Sequence, residues 1–180
     1  MDSRIDFQCK ALLGTIVMDW AFAEHILEDL IAGMIGADIA HVSALTANMA
    51  TEYQIKSARG MGRLRFDELT FLRLNTVLKY MERLIPFRNK LVHGFWSERD
   101  EDNLYTLASL KSGGTLKTQT EYVNLIYLQW MERQIRGVLT LLLAFGELYD
   151  LINYGDEKTE VTPELLSALA GEDDPFLWVV

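Results

Sequence analysis

The sequence predicts an all-α fold: up-and-down helices with one β-hairpin insertion before the last long helix. Three observations carry this. Apolar residues recur at three- and four-residue steps over long stretches at both ends of the chain. Proline and glycine fall between these stretches rather than within most of them. Two alternating segments flank Lys111-Ser112-Gly113-Gly114, where glycine supplies positive φ at little cost.

Residues 4–35 read as a long amphipathic helix with Leu13, Ile16, Val17, Trp20, Leu27, Ile31 and Met34 on one stripe, ended by Gly33 and Gly36. Glu24 falls on that stripe between Trp20 and Leu27. A carboxylate there must be paired or hydrogen-bonded, because an unpaired buried charge is very costly, and an arginine is the expected partner. His25, about 100° further round, falls on the flank. Asp38 offers an N-cap for a second helix over 39–59, with Val42, Leu45, Met49, Tyr53 and Ile55 as a weaker stripe and Gly60-Met61-Gly62 as its break. Asp67 caps a third helix, 68–84, built on Leu69, Leu72, Leu74, Val77, Leu78, Met81 and Leu84. Pro86 has no donor and disfavours helix at Ile85, so this helix ends or kinks at 84–85. A short fourth segment then runs from Pro86 through Arg88 and Leu91 to His93, with Gly94 as its stop.

Residues 95–120 change character: a polar, acidic run from Ser97 to Asn103, then the hairpin over about 103–120. An isolated hairpin is marginal, so it should pack on the helices. The last long helix covers 121–152 and is apolar round most of its circumference near 137–149, as a central helix or a dimer seam would be. The helical domain is thus expected over 1–152. A tail follows over 153–180, with a short helix from Thr162 to Ala170 and an apolar end, Phe176 to Val180, suited to docking on a partner.

A single cysteine, Cys9, excludes an internal disulfide and a thiolate metal cluster, and fits a reducing compartment. The N-terminus lacks the basic-then-apolar order of a secretory signal, and the longest apolar window is about ten residues where a membrane span needs about 20. These point to a soluble, cytoplasmic protein with no membrane partner. His25, His41 and His93 are scattered, so no metal site is expected. No phosphate-cradling glycine loop or nucleophile elbow is present, and no cofactor is expected.

The net charge is −9, which argues against broad nucleic-acid affinity, since phosphate attraction supplies most non-specific binding. It is unevenly placed. Residues 1–55 carry two bases against eight acids and residues 100–180 five against fourteen. Residues 56–99 carry ten bases against four acids, a net +6. That basic island contains Arg88-Asn89-Lys90-Leu91-Val92-His93, where a permanent cation, an amide and a proton-exchanging imidazole fall within six residues.

In this run the chain resembles the HEPN superfamily, small helical proteins defined by an arginine followed four to six residues later by histidine. Arg88 and His93 match, as does the polar Asn89 after the arginine, and the motif follows several helices and precedes one long one. The likeness covers residues 5–150 as architecture and about six residues as motif. It implies a homodimer with the two motifs facing each other. In active members it implies metal-independent endoribonuclease activity of toxin or anti-phage type, leaving 2′,3′-cyclic phosphate and 5′-hydroxyl ends. Histidine titrates near neutrality and can take the 2′-hydroxyl proton or protonate the leaving oxygen. Arginine offers a fixed fork of donors to phosphate. Asn89 can orient either group, and Glu24 is a supporting candidate.

Two features qualify the likeness. Five helical residues turn about 500°, leaving Arg88 and His93 about 140° apart on one ideal helix. Either the Pro86 and Gly94 ends distort the segment, or the working pair is assembled across a two-fold axis. Members paired with a nucleotidyltransferase antitoxin often carry a tyrosine two residues after the histidine. Here that position is Phe95, with no hydroxyl to modify. The alternative is a non-catalytic helical interaction or regulatory module with a protein partner, in which Arg88 bridges to Glu24 and His93 simply ends a helix.

Overall fold

The structure, a computed structural model, describes residues 7–99, 104–112 and 116–151. Five helices and one small sheet follow in the order α1 (Phe7–Ile35), α2 (Ile39–Thr46), α3 (Thr51–Arg65), α4 (Glu68–His93), β1 (Phe95–Arg99), β2 (Tyr105–Ser112), β3 (Leu116–Val123) and α5 (Leu125–Leu148). This is a helical bundle with a β insertion before its last long helix. Gly113 and Gly114 of the expected hairpin turn and the whole tail, 153–180, lie outside the described residues.

The contacts fix the directions of the helices. Arg73 near the start of α4 donates to the Tyr149 hydroxyl just past α5, while Phe87 near the end of α4 meets Trp130 near the start of α5. These two helices are therefore antiparallel. α3 also runs against α4, with Arg63 over the Phe71 ring and Arg59 paired to Glu82. α1 runs with α5, since Asp19 meets Arg136 and Gly33 lies against Leu151. α2 is the short return stroke that carries the chain back along α1. The core is filled by Ile16, Trp20, Ala23 and Leu27 of α1, Leu74, Leu78 and Met81 of α4, and Leu128, Ile135, Leu142 and Phe145 of α5. α5 is buried on two sides, packed on α1 and on α4, which accounts for its wide apolar surface.

Caps set several boundaries. Asp38 accepts from the Ala40 amide, Asp67 from Thr70 and Asn124 from Tyr127. The Thr70 amide holds the Asp67 carboxyl below the usual carboxylate range.

Several expectations are corrected. The helix expected over 39–59 is two helices, broken at 47–50, because hydroxyls on either side must reach two different carboxylates. Ser43 and Thr46 of α2 donate to Glu28, while Thr51 of α3 donates to Glu24 one turn back along α1. Leu45, Met49 and Tyr53 are consequently exposed rather than a buried stripe. Gly60-Met61-Gly62 does not break α3. Gly62 is needed where α3 approaches α4, since a Cβ there would overlap Leu74 Cδ2.

α4 runs unbroken from Glu68 to His93 with Pro86 inside it. A proline in a helix interior costs about 3 kcal/mol, but Leu84, Ile85 and Leu91 are buried on either side of it. At about 1.5–3 kcal/mol for each buried side chain, their packing offsets that cost. Leu69 and Leu72, expected in the core, lie exposed on the outer side of the same helix.

The expected hairpin is present as β2 and β3, and β1 joins it to make a three-stranded antiparallel meander, β1-β2-β3. The extra strand follows directly from Gly94, whose missing Cβ lets Leu107 of β2 pack against the end of α4. β3 extends to Val123, so the last helix begins at Leu125 rather than 121 and ends at Leu148 rather than 152. One sheet face, with Trp96, Tyr105, Leu107 and Val123, turns toward the helices. The Trp96 indole donates to the Leu91 carbonyl, and Lys90 pairs with Glu121.

Candidate functional site

Arg88, Asn89 and His93 sit on the last two turns of α4, and all three line one cleft with Glu24 of α1. The remaining walls are Ile85 and the run Met49, Ala50, Thr51 and Glu52, where the chain passes from the α2–α3 link into α3. The cleft holds about 380 Å³. The four residues singled out in the sequence therefore converge within one chain, although Arg88 and His93 lie on different sides of a regular helix. Neither helix distortion nor a second chain is needed to bring them to one cavity. Arg88 is half-buried, while Asn89 and His93 are exposed.

The Arg88 guanidinium is directed by two neighbours. Its Nη1 donates to Asn89 Oδ1 at 3.1 Å. Its Cζ lies 5.8 Å from the Trp20 ring centroid, within cation–π range. Its Nε is buried without a hydrogen-bond partner. The bridge from Arg88 to Glu24 that belongs to the non-catalytic alternative is not formed, and among the described residues Arg88 pairs with no carboxylate. Glu24 Oε1 instead accepts from the Trp20 indole N–H at 2.7 Å and from the Thr51 hydroxyl. Neutral donors satisfy the carboxylate, so the cation beside it is left for other work. One turn along, Glu28 is held in the same manner by Ser43, Thr46 and Gln54.

The other wall is the start of α3. Its N-cap is Ala50, which brings no side-chain acceptor. The Tyr53 and Gln54 amides return to the Ala50 carbonyl, so the first amides of the helix, at Thr51 and Glu52, have no intrahelical partner. An uncapped helix start of this kind favours an anion. Arg88, the Asn89 amide, the His93 imidazole and the start of α3 give the cleft four types of donor. Glu24 and Glu52 give it acceptors.

Trp20, Ala50, Thr51 and Glu52 were not singled out in the sequence. For Trp20 a signal was present, since it precedes Glu24 by one helical turn. The other three are brought in by the break at 47–50, which no local pattern marks. Among the described residues, no group of three His, Cys, Asp or Glu side chains is placed to hold a metal ion, and no helix is long and apolar enough to cross a membrane.

Comparison with protein-family models, with characterised proteins and with solved structures returns no match to this chain.

Proposed function

We propose that this protein is a metal-independent endoribonuclease of the HEPN type, working as a homodimer in toxin or anti-phage defence. The observation that carries the reading is the convergence of Arg88, Asn89, His93 and the uncapped start of α3 on one open cleft. A scissile phosphate between α4 and α3 would meet the Arg88 fork on one side and free amides on the other. Both donate most strongly as charge builds on the phosphoryl oxygens. His93 takes the proton from the ribose 2′-hydroxyl as that oxygen bonds to phosphorus. The bond from phosphorus to the 5′-oxygen breaks, and that oxygen takes a proton from a second imidazole, supplied by the facing copy. The products are a 2′,3′-cyclic phosphate and a 5′-hydroxyl. Asn89 holds Arg88 in plane, and Glu24 keeps Thr51 and Trp20 in position around it.

The experiment is incubation of pure dimeric protein with total RNA in EDTA, with end-group analysis of the products. Cyclic-phosphate ends that vanish in His93→Ala support the reading. Absence of cleavage by the wild-type dimer overturns it, and equal cleavage by His93→Ala moves the catalytic role elsewhere.

One observation favours a second reading, a non-catalytic interaction or regulatory module. Glu24 and Glu52 line the same cleft as Arg88, and two carboxylates repel a polyanion. On this reading the cleft receives a mixed-charge protein segment, and the same incubation leaves RNA intact.

A further inference from the structure

We infer that the outward face of the three-stranded sheet is a stacking platform for single-stranded RNA leading into the cleft, with Phe95 and Tyr122 as its two rings. The inference rests on the ribonuclease reading.

The register places both rings on one face. Phe95 pairs with Ala108, Ala108 with Thr120, and Thr106 with Tyr122. Directly paired residues share a face, as do residues two apart along a strand. Phe95, Ala108, Thr106, Thr120 and Tyr122 therefore stand together, opposite the face that packs on the helices. Phe95 is 66% and Tyr122 69% exposed, among the most exposed aromatic side chains described. From Phe95 to Tyr122 is two strand spacings and two residues along the strand, roughly 12 Å, so each ring can take a separate base of one strand.

Two features of the face select the occupant. The first is continuity: Phe95 is two residues beyond His93, so at most about 7 Å of backbone separates the platform from the cleft. A strand whose phosphate lies at Arg88 and His93 passes the Phe95 ring on leaving. The second is composition. The positions between the rings are Ala108, Thr106 and Thr120, small and largely polar. A protein interface needs a contiguous apolar centre, whereas base stacking needs only flat rings with room between them. Phe95, which lacks the hydroxyl of the regulatory tyrosine expected there, keeps the ring that stacking requires.

The test compares cleavage of a single-stranded oligoribonucleotide with cleavage of a dinucleotide, alongside anisotropy binding of the oligonucleotide to the His93→Ala chain. Phe95→Ala and Tyr122→Ala should each lower the oligonucleotide-to-dinucleotide ratio of kcat/KM roughly tenfold and weaken binding to match. Phe95→Tyr and Tyr122→Phe should keep both. If the wild type cleaves and the alanine variants keep the wild-type ratio, the platform is overturned while the nuclease stands. If nothing cleaves, ring-dependent binding upholds the platform without the nuclease, and no binding overturns both. If the alanine variants instead break the dimer in sedimentation, the face is a contact between copies and the platform is overturned.

Discussion

The guanidinium carbon of Arg88 lies 5.8 Å from the centroid of the Trp20 ring, while the edge of that ring donates to Glu24 at 2.7 Å. One side chain thus separates a cation from a carboxylate that would otherwise neutralise it. The ring face is electron-rich and accepts the cation, and the indole N–H serves the anion. Arg88 is held in place without being consumed by an ion pair, as a residue that must bind an incoming anion requires.

Replacing Trp20 tests this arrangement. Trp20→Phe keeps a ring face but removes the N–H, leaving Glu24 with the Thr51 hydroxyl. Losing a hydrogen bond to a charged group and some buried volume should cost about 2–4 kcal/mol in denaturant unfolding. Relieved of its tether, Glu24 is free to approach Arg88. Cleavage should therefore fall in Trp20→Phe and recover in part when Glu24→Gln is added. No recovery in the double variant would show that the carboxylate does not compete for Arg88.

Arg88→Lys keeps the charge and loses the planar fork. RNA cleavage should drop at least tenfold, with the unfolding midpoint close to wild type, because the Arg88 head group makes one hydrogen bond, to exposed Asn89. A lysine variant with full activity would reduce the role of Arg88 to charge alone.

The sequence is a good guide to those parts of the fold set by local pattern. The end of α1 at Ile35, the cap at Asp67, the buried stripe of α4 from Leu74 to Leu84, the apolar face of α5 and the alternation in β2 all depend on near neighbours, and periodicity reports them. It misleads where distant contacts win. Pro86 reads as a stop, but Leu84, Ile85 and Leu91 are packed too well for α4 to end there. Gly60 and Gly62 read as a break, but Gly62 serves a close approach to Leu74. Tyr122 fits a helical stripe and belongs to a strand, because pairing with Thr106 extends β3. The site divides in the same manner. Arg88, Asn89 and His93 are contiguous enough to be seen as a motif. The Ala50–Glu52 wall exists only because Glu24 and Glu28 draw α2 and α3 to different turns of α1.

Tyr127 gives the fold an alkaline limit. Burial, with the Glu121 carboxylate as a lesser cause, pushes its phenol up to about 12 from an ordinary value of 10.0. A group whose pKa is raised on folding favours the native state fully below its unfolded value, and that advantage is lost as pH rises through the folded one. Stability should therefore hold up to pH 10 and fall between about pH 10 and 12. Tyr127→Phe should flatten the fall in that window and leave stability near neutral pH little changed. An unchanged slope across it would show that the phenol ionises freely in the native state.

The contact between Gly62 and Leu74 predicts a suppressor. Gly62→Ala should destabilise by about 1–3 kcal/mol through overpacking, although alanine is the better helix former. Leu74→Ala alone should cost about 2–5 kcal/mol. Combined, the two should cost clearly less than their sum, because each relieves the defect of the other. Strict additivity in urea unfolding would mean that α3 and α4 separate to accept the new methyl.

The start of α3 offers the sharpest contrast between stability and function. Ala50 has the extended backbone of an N-cap, φ −64° and ψ 148°, but no side chain to use there. Ala50→Asp supplies the missing acceptor and places a negative charge at the positive end of the helix dipole. It should stabilise the protein by about 0.5–2 kcal/mol. The same carboxylate occupies the amides at Thr51 and Glu52 and sets a negative charge in the cleft opposite Arg88. RNA cleavage should fall at least tenfold while the unfolding midpoint rises. Ala50→Ser caps without the charge, so it should stabilise with a smaller loss of activity. If Ala50→Asp stabilises and cleaves as wild type does, the phosphate does not use this helix end. The anion site then contracts to Arg88, Asn89 and His93.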